Sequence, residues 1–152
     1  MTQAVEAAHV LYSPVPGADC MELEQDYCFE VAGLTIWIPK GYRWNGASIP
    51  QLLWGVIGGR FEPDRLLASM EHDWIYLCHC VTRKQADTLF NARLKEAGDP
   101  AWKRAAMYQA VRVFGGGSWP TSKEDRAQLD RVRALLALRE DRDQFTRLML
   151  VA

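Results

Sequence analysis

Two apolar patterns of helical period, joined by a short connection, constrain this chain most. From Pro63 to Cys78, the residues Leu66, Leu67, Met70, Trp74, Ile75 and Leu77 recur at helical spacing, with Pro63 near the start and Asp64 in the first turn. From Thr82 to Ala97, Ala86, Leu89, Phe90 and Leu94 form a second stripe, stopped by Gly98 and Pro100. The connection around Cys80 to Arg83 is short, so the two helices must pack antiparallel.

That pairing has a chemical consequence. His72 and Tyr76 share one helical face at i,i+4 spacing, while Asp73 points about 100° away. Asp87, on the second helix, comes roughly level with His72 across the interface. A histidine facing a carboxylate has the geometry of a general base, because the carboxylate fixes the tautomer and stabilises the imidazolium. A histidine in an amphipathic helix is more often a satisfied, partly buried residue than a base. The chemical reading therefore rests on its neighbours.

With 152 residues, 49% of them hydrophobic, and a formal net charge of −1, the composition fits one globular domain with a real core. The near-neutral balance offers no general electrostatic footprint for nucleic acid or for an anionic membrane. No run is long and apolar enough for a transmembrane helix, and the start Met1-Thr2-Gln3-Ala4-Val5-Glu6 lacks the basic and apolar parts of a secretion signal. Synthesis and folding in the cytoplasm are expected. Cys20, Cys28, Cys78 and Cys80 then read as reduced, mostly buried thiols. Zinc at Cys78-His79-Cys80 is disfavoured, since residues one and two apart cannot all face one metal from a helix.

The first third is strand-like and the rest helical, which favours an α+β layout: a small antiparallel sheet or hairpin, then the helical hairpin, then a long C-terminal helix. A short strand is expected at Ala8 to Tyr12. Tyr27–Val31 and Leu34–Ile38 flank Ala32-Gly33 as a hairpin that Pro39 ends. Lys40 to Pro50 is a turn-rich loop in which Gly46 can take positive φ. A short helix at Leu52 to Ile57 ends at Gly58-Gly59, and a helix from Ala101 to Phe114 is closed by Gly115-Gly116-Gly117. A long pattern from Ser122 to Leu150, entered through a capping-type Thr121 to Asp125, completes the chain. Residues 1–120 are read as a single core domain. Residues 121–152 are read as a helical extension whose stripe of Leu129, Val132, Leu135, Leu136, Phe145, Leu148 and Met149 packs on the core or docks on a partner.

Pro39-Lys40-Gly41, Asn45-Gly46-Ala47-Ser48-Ile49-Pro50, His72-Asp73-Trp74-Ile75-Tyr76 and Arg83-Lys84-Gln85-Ala86-Asp87 together resemble a family of small bacteriophage and prophage proteins labelled a domain of unknown function, over roughly residues 25 to 119. The resemblance implies a phage origin without an established reaction. More distantly, the His-Asp-x-x-Tyr helix followed by an antiparallel helix with an aspartate is similar to the core of the secretory phospholipase A superfamily. That resemblance implies His72 as the base, Asp87 as the residue orienting it, Tyr76 as support for Asp87, and Asp73 as a calcium ligand. Trp44, Asn45 and Gly46, with Ala47 and Ser48, would form the calcium loop. Two departures stand out: neutral Asn45 where a second carboxylate would strengthen calcium binding, and no convincing counterpart of the disulfides that commonly brace the helix pair.

Two functions follow from these readings. One is a calcium-dependent, phospholipase-like hydrolase of lipid or other esters, acting in phage entry or lysis. The other is a structural or adaptor subunit of the virion, in tail or baseplate, made in the host cytoplasm and contacting other virion proteins through its terminal helix and its tryptophans. A His-Asp metal phosphohydrolase fails on inventory, because it needs a further upstream histidine on a neighbouring helix and only His9 is available.

Overall fold

In a computed structural model, residues 12–46, 54–59 and 63–139 are described. Among these residues five short strands precede five helices: β1 (Tyr12–Pro14), β2 (Met21–Leu23), β3 (Tyr27–Val31), β4 (Leu34–Ile38), β5 (Arg43–Trp44), α1 (Trp54–Ile57), α2 (Pro63–Cys78), α3 (Arg83–Glu96), α4 (Ala101–Ser118) and α5 (Lys123–Ala137). The layout is α+β, as the strand-then-helix order predicts. The strands form an antiparallel sheet in the order β1-β2-β5 and a separate β3-β4 hairpin.

The hairpin turns on Ala32 and Gly33, with φ of 50° and 78°, and Val31 pairs with Leu34. Two successive positive φ values match the right-handed twist of the flanking strands, and glycine meets that demand more easily than alanine. Alternation then aims Phe29 and Val31 of β3, and Ile36 and Ile38 of β4, into the core. The expected strand at Ala8 to Tyr12 has only its last residue inside the described part, where the strand runs from Tyr12 to Pro14. Of the expected short helix, Leu52 lies outside the described residues.

Helix α2 is the hub. It buries residues around most of its circumference, including Leu66, Met70, Trp74, Ile75 and Leu77, but also Arg65, Ser69, Glu71 and His72. Each of these four polar side chains has a hydrogen-bond partner, as low-dielectric surroundings favour, whereas the buried indole N–H of Trp74 has none. Glu71 accepts from Tyr27 Oη and from Arg93 Nε, both at 2.7 Å. Arg65 forms a double hydrogen bond to Asp99 at 3.1 Å, and Ser69 Oγ donates to the Leu66 carbonyl. The chain reverses through His79, at φ 51°, and α3 starts with a capping box between Thr82 and Gln85.

Two expectations about helix ends are corrected. Helix α4 does not stop at Phe114; it continues through Gly115, Gly116 and Gly117 to Ser118. Glycine is a poor helix former, but a Cβ at Gly115 would lie 2.6 Å from Tyr76 Oη, so that glycine serves close packing instead of termination. Helix α5 ends at Ala137, well short of Leu150, and Phe145, Leu148 and Met149 lie outside the described residues. Its entry is the expected capping box, between Ser122 and Asp125. Leu129, Val132 and Leu136 sit in the same apolar cluster as Leu23, Ile36, Trp44 and Trp74. A salt bridge from Arg139 to Asp26, at 2.6 Å, ties down the end of the helix. All four cysteines are free thiols, but Cys78 alone is buried; Cys20 and Cys80 are half-buried and Cys28 is exposed.

Candidate active site

The helical hairpin brings His72 and Asp87 into contact: Nε2 of the histidine lies 2.7 Å from Oδ1 of the aspartate. Tyr76, one turn beyond His72, donates its hydroxyl to the same oxygen at 2.7 Å. Asp87 is fully buried and His72 is 6% exposed. Against the burial that pushes it up, hydrogen bonds from His72, Tyr76 and Arg112 hold the Asp87 carboxyl below the usual carboxylate range. An ionised Asp87 accepts, so Nε2 of a neutral His72 carries the proton and Nδ1 keeps its lone pair.

Nδ1 lies on the Asp73 side, 3.9 Å from Oδ1, too far for a direct hydrogen bond. His72, Asp73 and Tyr76 line a cavity of about 590 Å³ together with Tyr42, Trp44 and Asn45. Burial lowers the affinity of His72 for a proton, but the neighbouring Asp73 and Asp87 carboxylates outweigh it, and its pKa stands above the ordinary histidine value. Phe90 packs against the ring, with centroids 4.9 Å apart.

Of the residues implied for a calcium loop, Trp44 and Asn45 line the cavity. Gly46 is buried with φ of 80° and is not among the lining residues. Ala47 and Ser48 lie outside the described residues. Burial raises the Asp73 carboxyl above the usual range, His72 only partly offsets this, and Asp125 adds to it. A carboxylate so short of counter-charge suits a hard cation. Among the described residues no three His, Cys, Asp or Glu side chains converge as a metal-binding group, so such an ion would depend on Asp73 with amide and carbonyl oxygens.

Several participants carry no signal in the linear sequence. Arg112 of α4 donates to Asp87 Oδ2 at 2.7 Å, and Arg83 stands 3.9 Å from the same oxygen. Gly115 provides the room in which the Tyr76 hydroxyl sits. Trp119 packs edge-on against Tyr76 and stacks on His79, whose Nε2 bonds the Trp119 carbonyl at 2.7 Å. Helix α5 contributes Glu124, Asp125, Gln128 and Arg131 to the cavity wall, although its pattern reads simply as a packing stripe. An arginine beside a buried valine on one helix gives no hint of a carboxylate on another; only the packing of α3 on α4 joins them.

Comparison with known proteins places this chain, over the stretch that carries His72 and Asp87, in a recognised family. The chain belongs to the family described as protein of unknown function DUF1353, whose profile matches residues 21–111. It is similar to two uncharacterised proteins of Sinorhizobium fredii strain NBRC 101917 / NGR234. These are y4jT, 42% identical over 97 residues (62% of this chain, 28% of that protein), and y4iH, 32% identical over 76 residues (50% of this chain, 32% of that protein). The match thus takes in about a third or less of each relative's length. No solved structure matches the chain.

Proposed function

We propose that this chain is a bacteriophage protein, carried in the tail or baseplate after synthesis in the host cytoplasm, whose His72 site hydrolyses lipid or another ester during entry or lysis. The phage origin and virion location rest on the motif resemblance around Asn45 to Pro50 and His72 to Tyr76. The hydrolytic reading is carried by one observation: His72 is anchored through Nε2 to a buried carboxylate, while Nδ1 faces the side of the cavity that holds Asp73.

In this reading Nδ1 takes a proton from a water molecule as the water oxygen attacks the ester carbonyl. Asp87 steadies the imidazolium, and Tyr76 and Arg112 keep Asp87 in place. Collapse of the tetrahedral intermediate breaks the acyl C–O bond, and the Nδ1 proton passes to the leaving alkoxide, giving an acid and an alcohol. Asp73, with Asn45 and the Trp44 and Gly46 carbonyls, would hold calcium; when bound, the ion would polarise the ester carbonyl and stabilise the oxyanion. The test is hydrolysis of mixed phospholipid micelles by purified protein, with calcium or chelator, beside folded His72→Gln. Calcium-dependent release that the variant lacks is expected.

One observation favours a second reading, a structural or adaptor subunit of the virion. Arg112 neutralises Asp87 at 2.7 Å, which weakens its support of an imidazolium while strengthening the joint between α2, α3 and α4. Absence of release under every condition would favour that role.

A further inference from the structure

Cys78-His79-Cys80 ends α2 and begins the turn into α3, and neither cysteine belongs to the His72 site. Cys78 is the last residue of the helix. His79 follows with a left-handed φ of 51°, and its N–H bonds the Ile75 carbonyl at 2.8 Å. A left-handed residue just past a helix folds the next side chain back onto the last turn. Cys80 accordingly packs on the apolar cluster that contains Ile75 and Cys78, and its sulfur accepts a hydrogen bond from the Cys78 thiol. The histidine between them is occupied elsewhere: Nε2 bonds the Trp119 carbonyl at 2.7 Å and the ring stacks on Trp119. Two sulfurs are thus left in contact, and among the described residues no third metal-ligating side chain joins them, so the pair suits dithiol chemistry and not zinc.

The two thiols are unequal. Cys80 is half-buried and reachable from solvent, whereas Cys78 is buried. The hydrogen bond from Cys78, helped by the backbone N–H groups of Cys80 and Val81, holds the Cys80 thiol below its ordinary pKa against the burial that raises it. Cys78, the donor, is pushed up by the same bond and by burial. The thiolate is the nucleophile, so Cys80 attacks first. An accessible sulfur beside a second one that can displace what is added to it forms a reversible redox pair. We propose that Cys78 and Cys80 are a dithiol oxidised by hydrogen peroxide, with Cys80 as the attacking sulfur and Cys78 as the resolving one. The Cys80 thiolate attacks one peroxide oxygen; the S–O bond forms, the O–O bond breaks, and hydroxide leaves and is protonated to water. The Cys78 sulfur then attacks the sulfenic sulfur of Cys80; the S–S bond forms, the S–O bond breaks, and the departing hydroxide takes the Cys78 proton to give a second water. Two electrons pass from the pair to one peroxide. The bridge pins the turn between the helices that carry His72 and Asp87, and it spares Cys80 from irreversible oxidation.

The test is mass spectrometry of the reduced wild-type chain during titration with hydrogen peroxide. The intact chain should lose the mass of two hydrogens before it gains any oxygen, and free thiols should fall from four to two. The tryptic peptide from Leu66 to Arg83, which holds both cysteines, should carry the loss, and dithiothreitol should reverse it. Cys28 is an internal control: it is the more exposed thiol, yet Cys80 should react before it. In Cys78→Ala, dimedone should capture a sulfenic acid at Cys80, and further peroxide should carry that sulfur on to the sulfinic acid. Cys80→Ser should form no bridge and leave Cys78 reduced. Oxidation of the wild-type chain that starts at Cys28, that adds oxygen to Cys80 while Cys78 stays free, or that spares both thiols when Cys28 is already oxidised would overturn the proposal.

Discussion

Glu71 and His72 are neighbours in sequence, both buried and both hydrogen-bonded, yet they face different duties. Glu71 joins Tyr27 and Arg93 across the core and does not line the cavity. Glu71→Ala should therefore cost about 1–3 kcal/mol, because it leaves the Tyr27 hydroxyl without its acceptor and Arg93 paired with the exposed Glu96 instead of a buried carboxylate; urea denaturation measures this directly. In the hydrolytic reading, His72→Gln should remove turnover, and it should leave the midpoint close to wild type only at alkaline pH, where the imidazole is neutral. The pH dependence follows from the same groups. The raised pKa of His72 means that its stabilising charge is fully present below about pH 6.5 and fades as pH rises through the folded value. The lowered pKa of Asp87 contributes stability above about pH 3.9 that is lost as pH falls through the folded value. The pair should stabilise most between those limits, and the melting temperature of wild type minus that of His72→Gln should peak there. In the hydrolytic reading turnover needs the neutral imidazole, so it should climb on the alkaline side of about 6.5. Asp73 has the opposite sign to Asp87: its raised pKa makes ionisation costly as pH rises. Calcium should therefore raise the melting temperature more at pH 7 than at pH 4, and Asp73→Asn should abolish the difference.

At the scale of the element, the glycine triplet separates two roles that composition treats alike. Gly115→Ala should gain about 1 kcal/mol of helix propensity. It should lose about 1–3 kcal/mol to overpacking, since the new methyl meets Tyr76 Oη at 2.6 Å. The displaced hydroxyl would leave Asp87, so activity should fall with stability. Gly116→Ala adds its methyl to open space and should stabilise the helix by up to about 1 kcal/mol. Thermal melts of the two variants give the comparison.

At the scale of the whole molecule, α5 is both core and wall. Leu129, Val132 and Leu136 share the cluster of β2, β4 and α2, and a Cβ at Gly41 would lie 2.8 Å from Leu135. Gln128 and Arg131 reach the Arg43 and Gly41 carbonyls and also line the cavity. Truncation after Pro120 should therefore remove more than a terminal helix. The shortened chain should lose near-ultraviolet circular dichroism and melt without a cooperative transition; a sharp melt would show that residues 1–120 hold a core of their own.

What the sequence determined by itself was local: helix starts at Pro63, Thr82 and Ser122, the Ala32-Gly33 hairpin, and the alignment of His72 with Asp87. Such features rest on periodicity, capping and turn chemistry, which act within a few residues. The short connection between two helices then left Asp87 little choice of neighbour. The tertiary structure alone decided that α4 runs through its glycines, that Arg112 reaches Asp87, and that α5 closes the cavity beside Asp73. Those outcomes depend on contacts between residues distant in sequence, where packing overrides the local preference that a linear pattern records.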